Sequence, residues 1–116
     1  MKVLVVDDST VMRKIVVKTL KEIGHSDIVE ASNGKEGLAK MEGIDIVLTD
    51  WNMPVMDGLT FVKEIRQSSN VPIVMITTEG GQKEVLEAMK TGVNDYIVKP
   101  FTSSVLVSKL ESVLKR

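Results

Sequence analysis

The sequence predicts an α/β domain in which a doubly wound, five-stranded parallel sheet carries helices on both faces. Along its 116 residues, short apolar runs alternate with stretches of helical periodicity. The runs read as continuous Val, Ile and Leu rather than as an in-and-out alternation, the pattern of strands buried on both faces. Four of them stop at polar residues of different kinds: Asp7 and Asp8 after Val3 to Val6, Asp50 after Ile44 to Thr49, Thr77 after Pro72 to Ile76, and Lys99 after Tyr96 to Val98. In a parallel sheet these ends share one edge, so three carboxylates, a hydroxyl and an ammonium converge on one pocket.

The elements follow in order. After the first strand, Met12, Ile15, Val16, Leu20 and Ile23 recur at spacings of three and four and place one helix face inward, with Gly24 ending the helix. Ile28 to Ala31 is a weaker second strand. Asn33 and Glu36 stand in a capping-box relation before Leu38 and Met41, and Gly43 marks the end of that short helix. The third strand, Ile44 to Thr49, leads into a loop with Pro54, after which Asp57 caps a helix whose inner face is Phe61, Val62 and Ile65. Pro72 opens the fourth strand. Gly80 and Gly81 break the chain before a helix carrying Val85, Leu86 and Met89, which Gly92 ends. Tyr96 to Val98 is the fifth strand. The last helix offers Leu106, Leu110, Val113 and Leu114, with Lys115 and Arg116 complementing its negative end. Right-handed crossovers leave few strand orders for such a chain.

Residues 1–116 are read as one domain, and its core must be aliphatic because Trp51, Phe61, Tyr96 and Phe101 are the only aromatics. A net charge of −1 and a pI near 5.8 give no electrostatic footprint for DNA, RNA or an anionic membrane. The absence of cysteine excludes disulfides, thiolate zinc sites and thiol catalysis. With no secretory leader pattern and no apolar run of spanning length, a cytoplasmic protein without membrane insertion is expected.

Three carboxylates at one edge create an electrostatic problem. At about 4 Å and an effective dielectric near 20, each like-charge pair repels by about 4 kcal/mol, so protons or a cation must settle the site. Mg2+ takes hard oxygen ligands, and Asp7, Asp8 and Asp50 with a carbonyl in the turn after Asp50 suit it. With the charge neutralised, Asp50 has the chemistry of a nucleophile toward phosphorus, giving an acyl phosphate. The Lys99 ammonium and Thr77 hydroxyl suit phosphoryl oxygens. Taken singly, each of these residues has a plainer use: an acidic pair after a first strand is often a helix N-cap, and a lone Thr or Lys is often loop chemistry. Their conjunction on successive strand ends argues for the pocket. His25, without a ligand companion, reads as an exposed loop imidazole, and the seven methionines as packing. No phosphate-cradling glycine motif occurs.

The segments Asp7-Asp8, Asp50-Trp51-Asn52-Met53-Pro54 with Met56-Asp57-Gly58, Thr77-Thr78-Glu79, and Tyr96 ahead of Lys99-Pro100-Phe101 are together highly specific. Over its whole length the chain resembles the receiver domains of two-component response regulators, and among them the single-domain chemotaxis regulators. The strand order 2-1-3-4-5 of a flavodoxin-like (βα)5 fold is taken from this resemblance. The resemblance further implies that Asp50 accepts a phosphoryl group from a phosphohistidine on a sensor histidine kinase. Asp7, Asp8 and Asp50 would hold Mg2+, with the Asn52 backbone carbonyl as a further protein ligand. Thr77 and Tyr96 would form a switch that remodels the surface of the fourth helix, fifth strand and fifth helix. Lys99 would bridge to the phosphoryl oxygens through a segment with a cis bond to Pro100. The side chains of Asn52 and Glu79 match positions that tune dephosphorylation.

The function so implied is a monomeric signalling switch, not an enzyme with an external substrate. It assists its own phosphotransfer and autodephosphorylation, and its output partner would be the flagellar motor switch or another protein. No effector domain is expected, since the chain ends one helix after Lys99. A phosphorelay intermediate or phosphate sink shares the chemistry. An aspartate-nucleophile phosphatase of the haloacid dehalogenase type would place its nucleophile after the first strand with a second Asp two positions on, whereas Asp7 and Asp8 are adjacent. A flavin binder would want Ser, Thr and Gly where these two carboxylates would repel a phosphate. Gly80-Gly81, which suggests a looser output loop, and Asp95 before the switch tyrosine depart from the family pattern.

Overall fold

Alternate residues of each strand feed two separate apolar layers, and that division organises the molecule. The structure, a computed structural model, describes residues 1–115. Its elements are β1 (Val3–Val6), α1 (Thr10–Glu22), β2 (Ile28–Ala31), α2 (Gly34–Ala39), β3 (Ile46–Thr49), α3 (Gly58–Arg66), β4 (Ile73–Thr77), α4 (Gln82–Thr91), β5 (Asp95–Val98) and α5 (Ser103–Leu114). The strands pair in parallel in the order β2-β1-β3-β4-β5, as expected. Leu4, Val6, Val47, Ile73 and Met75 face Phe61, Val62, Ile65 and Ala88 of α3 and α4. Val3, Val5, Ile46, Leu48, Val74 and Ile76 face Val16, Val17 and Leu20 of α1 and Leu106, Leu110 and Val113 of α5. Side chains two apart on a strand share a face, so a four-residue strand divides equally between the layers.

Helix boundaries follow local chemistry. Ser9, Asn33, Asp57 and Thr102 cap α1, α2, α3 and α5, each accepting a backbone N–H three residues on. Gly24 and Gly92, at φ +99° and +123°, take the chain out of α1 and α4 in a conformation that other residues adopt only with strain. The third strand is shorter than expected, beginning at Ile46, because Ile44 belongs to the turn closed by its N–H to the Met41 carbonyl.

Two helices sit differently from their expected faces. In α1, Ile15 is 45% exposed and Val17 is buried. Successive helical residues are about 100° apart, so the adjacent Val16 and Val17, joined by Leu20, set the inward direction and leave Ile15 on the far side. In α4 the inner stripe is Val85 and Ala88, while Leu86 and Met89 are 52% and 42% exposed. His25 is half-buried rather than exposed, in the turn whose N–H to the Leu20 carbonyl closes α1. Lys115 is the C-cap of α5, and Arg116 lies outside the described residues.

Candidate functional site

Parallel pairing brings Val6 opposite Thr49, Thr49 opposite Met75, and Thr77 opposite Val98. The residues that follow these strands therefore gather at the carboxyl edge of the sheet. Oxygens of Asp7, Asp8 and Asp50 lie within 4.8 Å of one another, the one such acidic group among the described residues. Lys99 Nζ stands between two of them, donating to Asp7 Oδ2 at 2.8 Å and to Asp50 Oδ2 at 2.9 Å. Its side chain is only 6% exposed. Burial works against the ammonium, but the hydrogen bonds to Asp7 and Asp50 and their charges outweigh it and hold the Lys99 pKa above its usual value.

The carboxylates differ in how they are held. Asp7 is buried, its N–H donating to the Ala31 carbonyl at 3.1 Å and its Oδ1 accepting the Ser9 N–H at 2.9 Å. Ser9 itself is the cap of α1, so the acidic pair does not serve as the N-cap. Asp8 is exposed, and no described residue hydrogen-bonds to its carboxylate. Asp50 continues β3 through its N–H to the Val6 carbonyl, and its Oδ1 accepts the Trp51 N–H at 2.6 Å.

The turn after Asp50 is tightly built. Gly58 donates to the Trp51 carbonyl at 2.7 Å, and a Cβ on Gly58 would lie 2.1 Å from the Asp50 carbonyl oxygen. Val55, at φ +70°, centres a three-residue turn closed by Met56 N–H to the Pro54 carbonyl at 2.7 Å, a strained conformation for a β-branched residue. No described residue donates to the Asn52 carbonyl, while the Asn52 side chain donates to Glu79 Oε1 at 2.9 Å.

Glu79 links the remaining residues. Its N–H donates to the fully buried Thr77 hydroxyl at 3.3 Å, and its carbonyl accepts the Tyr96 hydroxyl. Tyr96 is buried, and desolvation, reinforced by the charges of Glu79, Glu84 and Asp50, pushes its phenol up to about 12. The Lys99-Pro100 bond is cis, as the resemblance implied. Asp95, one of the departures, accepts from Lys109 of α5 at 3.0 Å.

The structure thus brings together Asp7, Asp8, Asp50 and Lys99, and joins Thr77, Tyr96 and Asn52 through Glu79. Two supports escaped the sequence reading. Arg13 donates to the Asp7 carbonyl and to Glu30, and Arg66 binds carbonyls at the opposite edge of the sheet. Their only sequence signal is position: Arg13 one turn after the capping Ser9, and Arg66 at the end of α3. Three hard carboxylate oxygens gathered within 4.8 Å suit Mg2+.

Residues 3–111 match the response regulator receiver domain family. The chain is 53% identical over 120 residues to the chemotaxis protein CheY homolog of Campylobacter jejuni, covering 98% of this chain and 92% of that protein. The structure of the chemotaxis protein CheY4 of Vibrio cholerae superposes with a TM-score of 0.89 at 39% identity, over 97% of each chain. A CheY in a CheX-CheY-BeF3-Mg2+ complex from Borrelia burgdorferi reaches 0.92 at 30% identity, over 98% of this chain and 89% of that one.

Proposed function

Because the chain belongs to the response regulator receiver domain family, we propose that it is a single-domain phosphorylation switch whose phosphoacceptor is Asp50. The observation that carries this reading is the convergence of three carboxylates within 4.8 Å around a buried ammonium at the carboxyl edge of the sheet. A carboxylate oxygen of Asp50 attacks phosphorus of a phosphohistidine on a sensor kinase. The P–N bond breaks, its electron pair stays on the imidazole nitrogen, and an aspartyl phosphate forms. Asp7, Asp8, Asp50 and the Asn52 carbonyl would hold Mg2+, which would neutralise the carboxylates and the incoming phosphoryl oxygens. Lys99 moves its hydrogen bond from Asp50 to a phosphoryl oxygen, and the Thr77 hydroxyl donates to another.

That shift of Thr77 gives up its contact with the Glu79 N–H, and Glu79 is also where Tyr96 and Asn52 attach. The segment leading into α4 is thereby freed to rearrange, and a partner that prefers the rearranged α4-β5-α5 surface draws the equilibrium toward it. Met89, Val98 and Val105 offer that partner exposed apolar contacts. Asn52 and Glu79, joined by their side-chain hydrogen bond, set the rate at which water removes the phosphoryl group. Relatives named as chemotaxis proteins support a role in chemotaxis; a cytoplasmic location and the flagellar motor switch as output partner complete the proposal.

Trp51 adjoins Asp50, and its fluorescence tests the reading. Mg2+ is expected to change the emission, and acetyl phosphate to change it again only when Mg2+ is present. Asp50→Asn is expected to abolish the second response; a variant that still responds to acetyl phosphate contradicts the assignment.

A further inference from the structure

We infer that Arg13 is a positioning residue for the divalent-cation site, acting through the Asp7–Asp8 peptide; the inference rests on the metal reading above. Asp8 has an exposed carboxylate that no described residue hydrogen-bonds, so no side-chain partner places it and the backbone sets the direction in which it leaves the chain. Two opposed hydrogen bonds hold that backbone. On one side the Asp7 N–H donates to the Ala31 carbonyl at 3.1 Å, and on the other Arg13 Nη1 donates to the Asp7 carbonyl at 2.7 Å. The Asp7 carbonyl belongs to the peptide plane that carries the Asp8 N–H, so Arg13 sets the orientation of the plane from which Asp8 departs.

Arg13 is itself braced. Its Nε donates to Glu30 Oε1 at 2.9 Å, and Lys14 takes the other oxygen of the same carboxylate, also at 2.9 Å. The Arg13 side chain is 14% exposed. Glu30 precedes Ala31 on the edge strand β2, so both tethers of the metal turn start from adjacent residues of one strand. A planar guanidinium serves two acceptors at once in fixed geometry, which a lysine ammonium does poorly.

Positioning and simple electrostatics predict opposite signs. Removing a cation near three carboxylates by charge alone tightens Mg2+ binding. Loss of a support behind metal ligands weakens it, typically by tenfold or more. Mg2+ titrations followed by Trp51 fluorescence decide between them. Arg13→Ala is expected to raise the Mg2+ Kd about tenfold. Arg13→Lys, which keeps the charge, is expected to raise it less but measurably. The pair Arg13→Met with Glu30→Gln, which leaves net charge unchanged, is expected to raise it as Arg13→Ala does. At saturating Mg2+ the rate of Asp50 phosphorylation by acetyl phosphate returns toward that of the parent chain, separating placement of the cation from the chemistry.

An unchanged or tightened Kd in Arg13→Ala overturns the inference, as does a wild-type affinity in Arg13→Lys. Should Arg13→Ala fail to fold, the Arg13→Lys titration stands as the test. A parent chain without any Mg2+ response overturns the metal reading itself, and this inference with it.

Discussion

Lys99 reaches Asp50 with its ammonium 2.9 Å from Oδ2, while the same nitrogen holds Asp7 at 2.8 Å. It is therefore the counter-ion of the pocket whenever a dication is absent. Replacing it by Lys99→Met leaves two carboxylates facing each other under cover, and the expected loss is about 3 kcal/mol of unfolding free energy in metal-free buffer. On the proposed metal reading, Lys99→Met, with no ammonium competing for the carboxylates, binds Mg2+ more tightly than the parent and so gains more stability at one Mg2+ concentration. Urea unfolding of both proteins with and without Mg2+ checks this: the gap should narrow with the metal. An equal gap under both conditions contradicts the counter-ion role.

The Tyr96 phenol, buried and donating to the Glu79 carbonyl, is pushed up to about 12, whereas an unfolded chain ionises near 10. Between those values the unfolded chain has lost its proton and the folded one has kept it. The stabilisation is complete below about pH 10 and is lost as pH rises through about 12, at roughly 1.4 kcal/mol per unit of difference. Tyr96 is the only tyrosine, so phenolate absorbance reads it alone. The expected midpoint is near 12; a midpoint near 10 places the hydroxyl in solvent.

How far the sequence discloses the molecule depends on whether a feature is periodic or a matter of contact. The strands, the caps at Asn33 and Asp57, and the converging ends at Asp7, Asp50, Thr77 and Lys99 follow from local pattern plus parallel pairing. The direction each helix faces is less legible. In α1 a choice between Ile15 and Val17 turns on one helical step, and in α4 the small Ala88 sits innermost where larger Leu86 and Met89 looked better suited. Least legible are the long-range supports. Arg13 to Glu30 and Arg66 to Gly92 join residues distant in sequence, and an arginine at a helix end carries no mark of the carbonyl it will meet.

Alone among the four longer helices, α4 lacks a side-chain cap, because Gly81 holds its N-cap position. The backbone there, φ −69° and ψ 149°, is open to any residue, and Glu84 stands three positions on. Gly81→Ser completes a capping box and removes glycine's freedom from the unfolded chain. The Glu84 carboxylate, whose Oε2 would lie 2.1 Å from the new Cβ, is the far end of a flexible side chain and moves aside. The expected gain is about 0.5–1 kcal/mol in denaturant unfolding. If freedom at Gly80-Gly81 serves the output surface, the variant also exchanges its α4 amides more slowly.

Arg66 fastens the opposite edge of the sheet. Its Nε and Nη2 donate to the Gly92 carbonyl at 3.0 and 2.9 Å, Nη1 to the carbonyls of Ser69 and Val71, and Nη2 also to Asn94 Oδ1. Burial pushes the guanidinium pKa down. One side chain thus ties the end of α3 to the approaches of β4 and β5. Arg66→Met strands the carbonyls of Gly92, Ser69 and Val71, while Asn94 Oδ1 keeps the Ile73 N–H, and is expected to cost about 3 kcal/mol in urea unfolding, with Arg66→Lys recovering less than half. The contacts lie before the strands begin, whereas the carboxylates lie after they end, so the Mg2+ Kd read from Trp51 should stay at its parent value in both variants. A Kd that moves with Arg66 would mean that the two edges of the sheet are coupled and that scaffold and site are not separable.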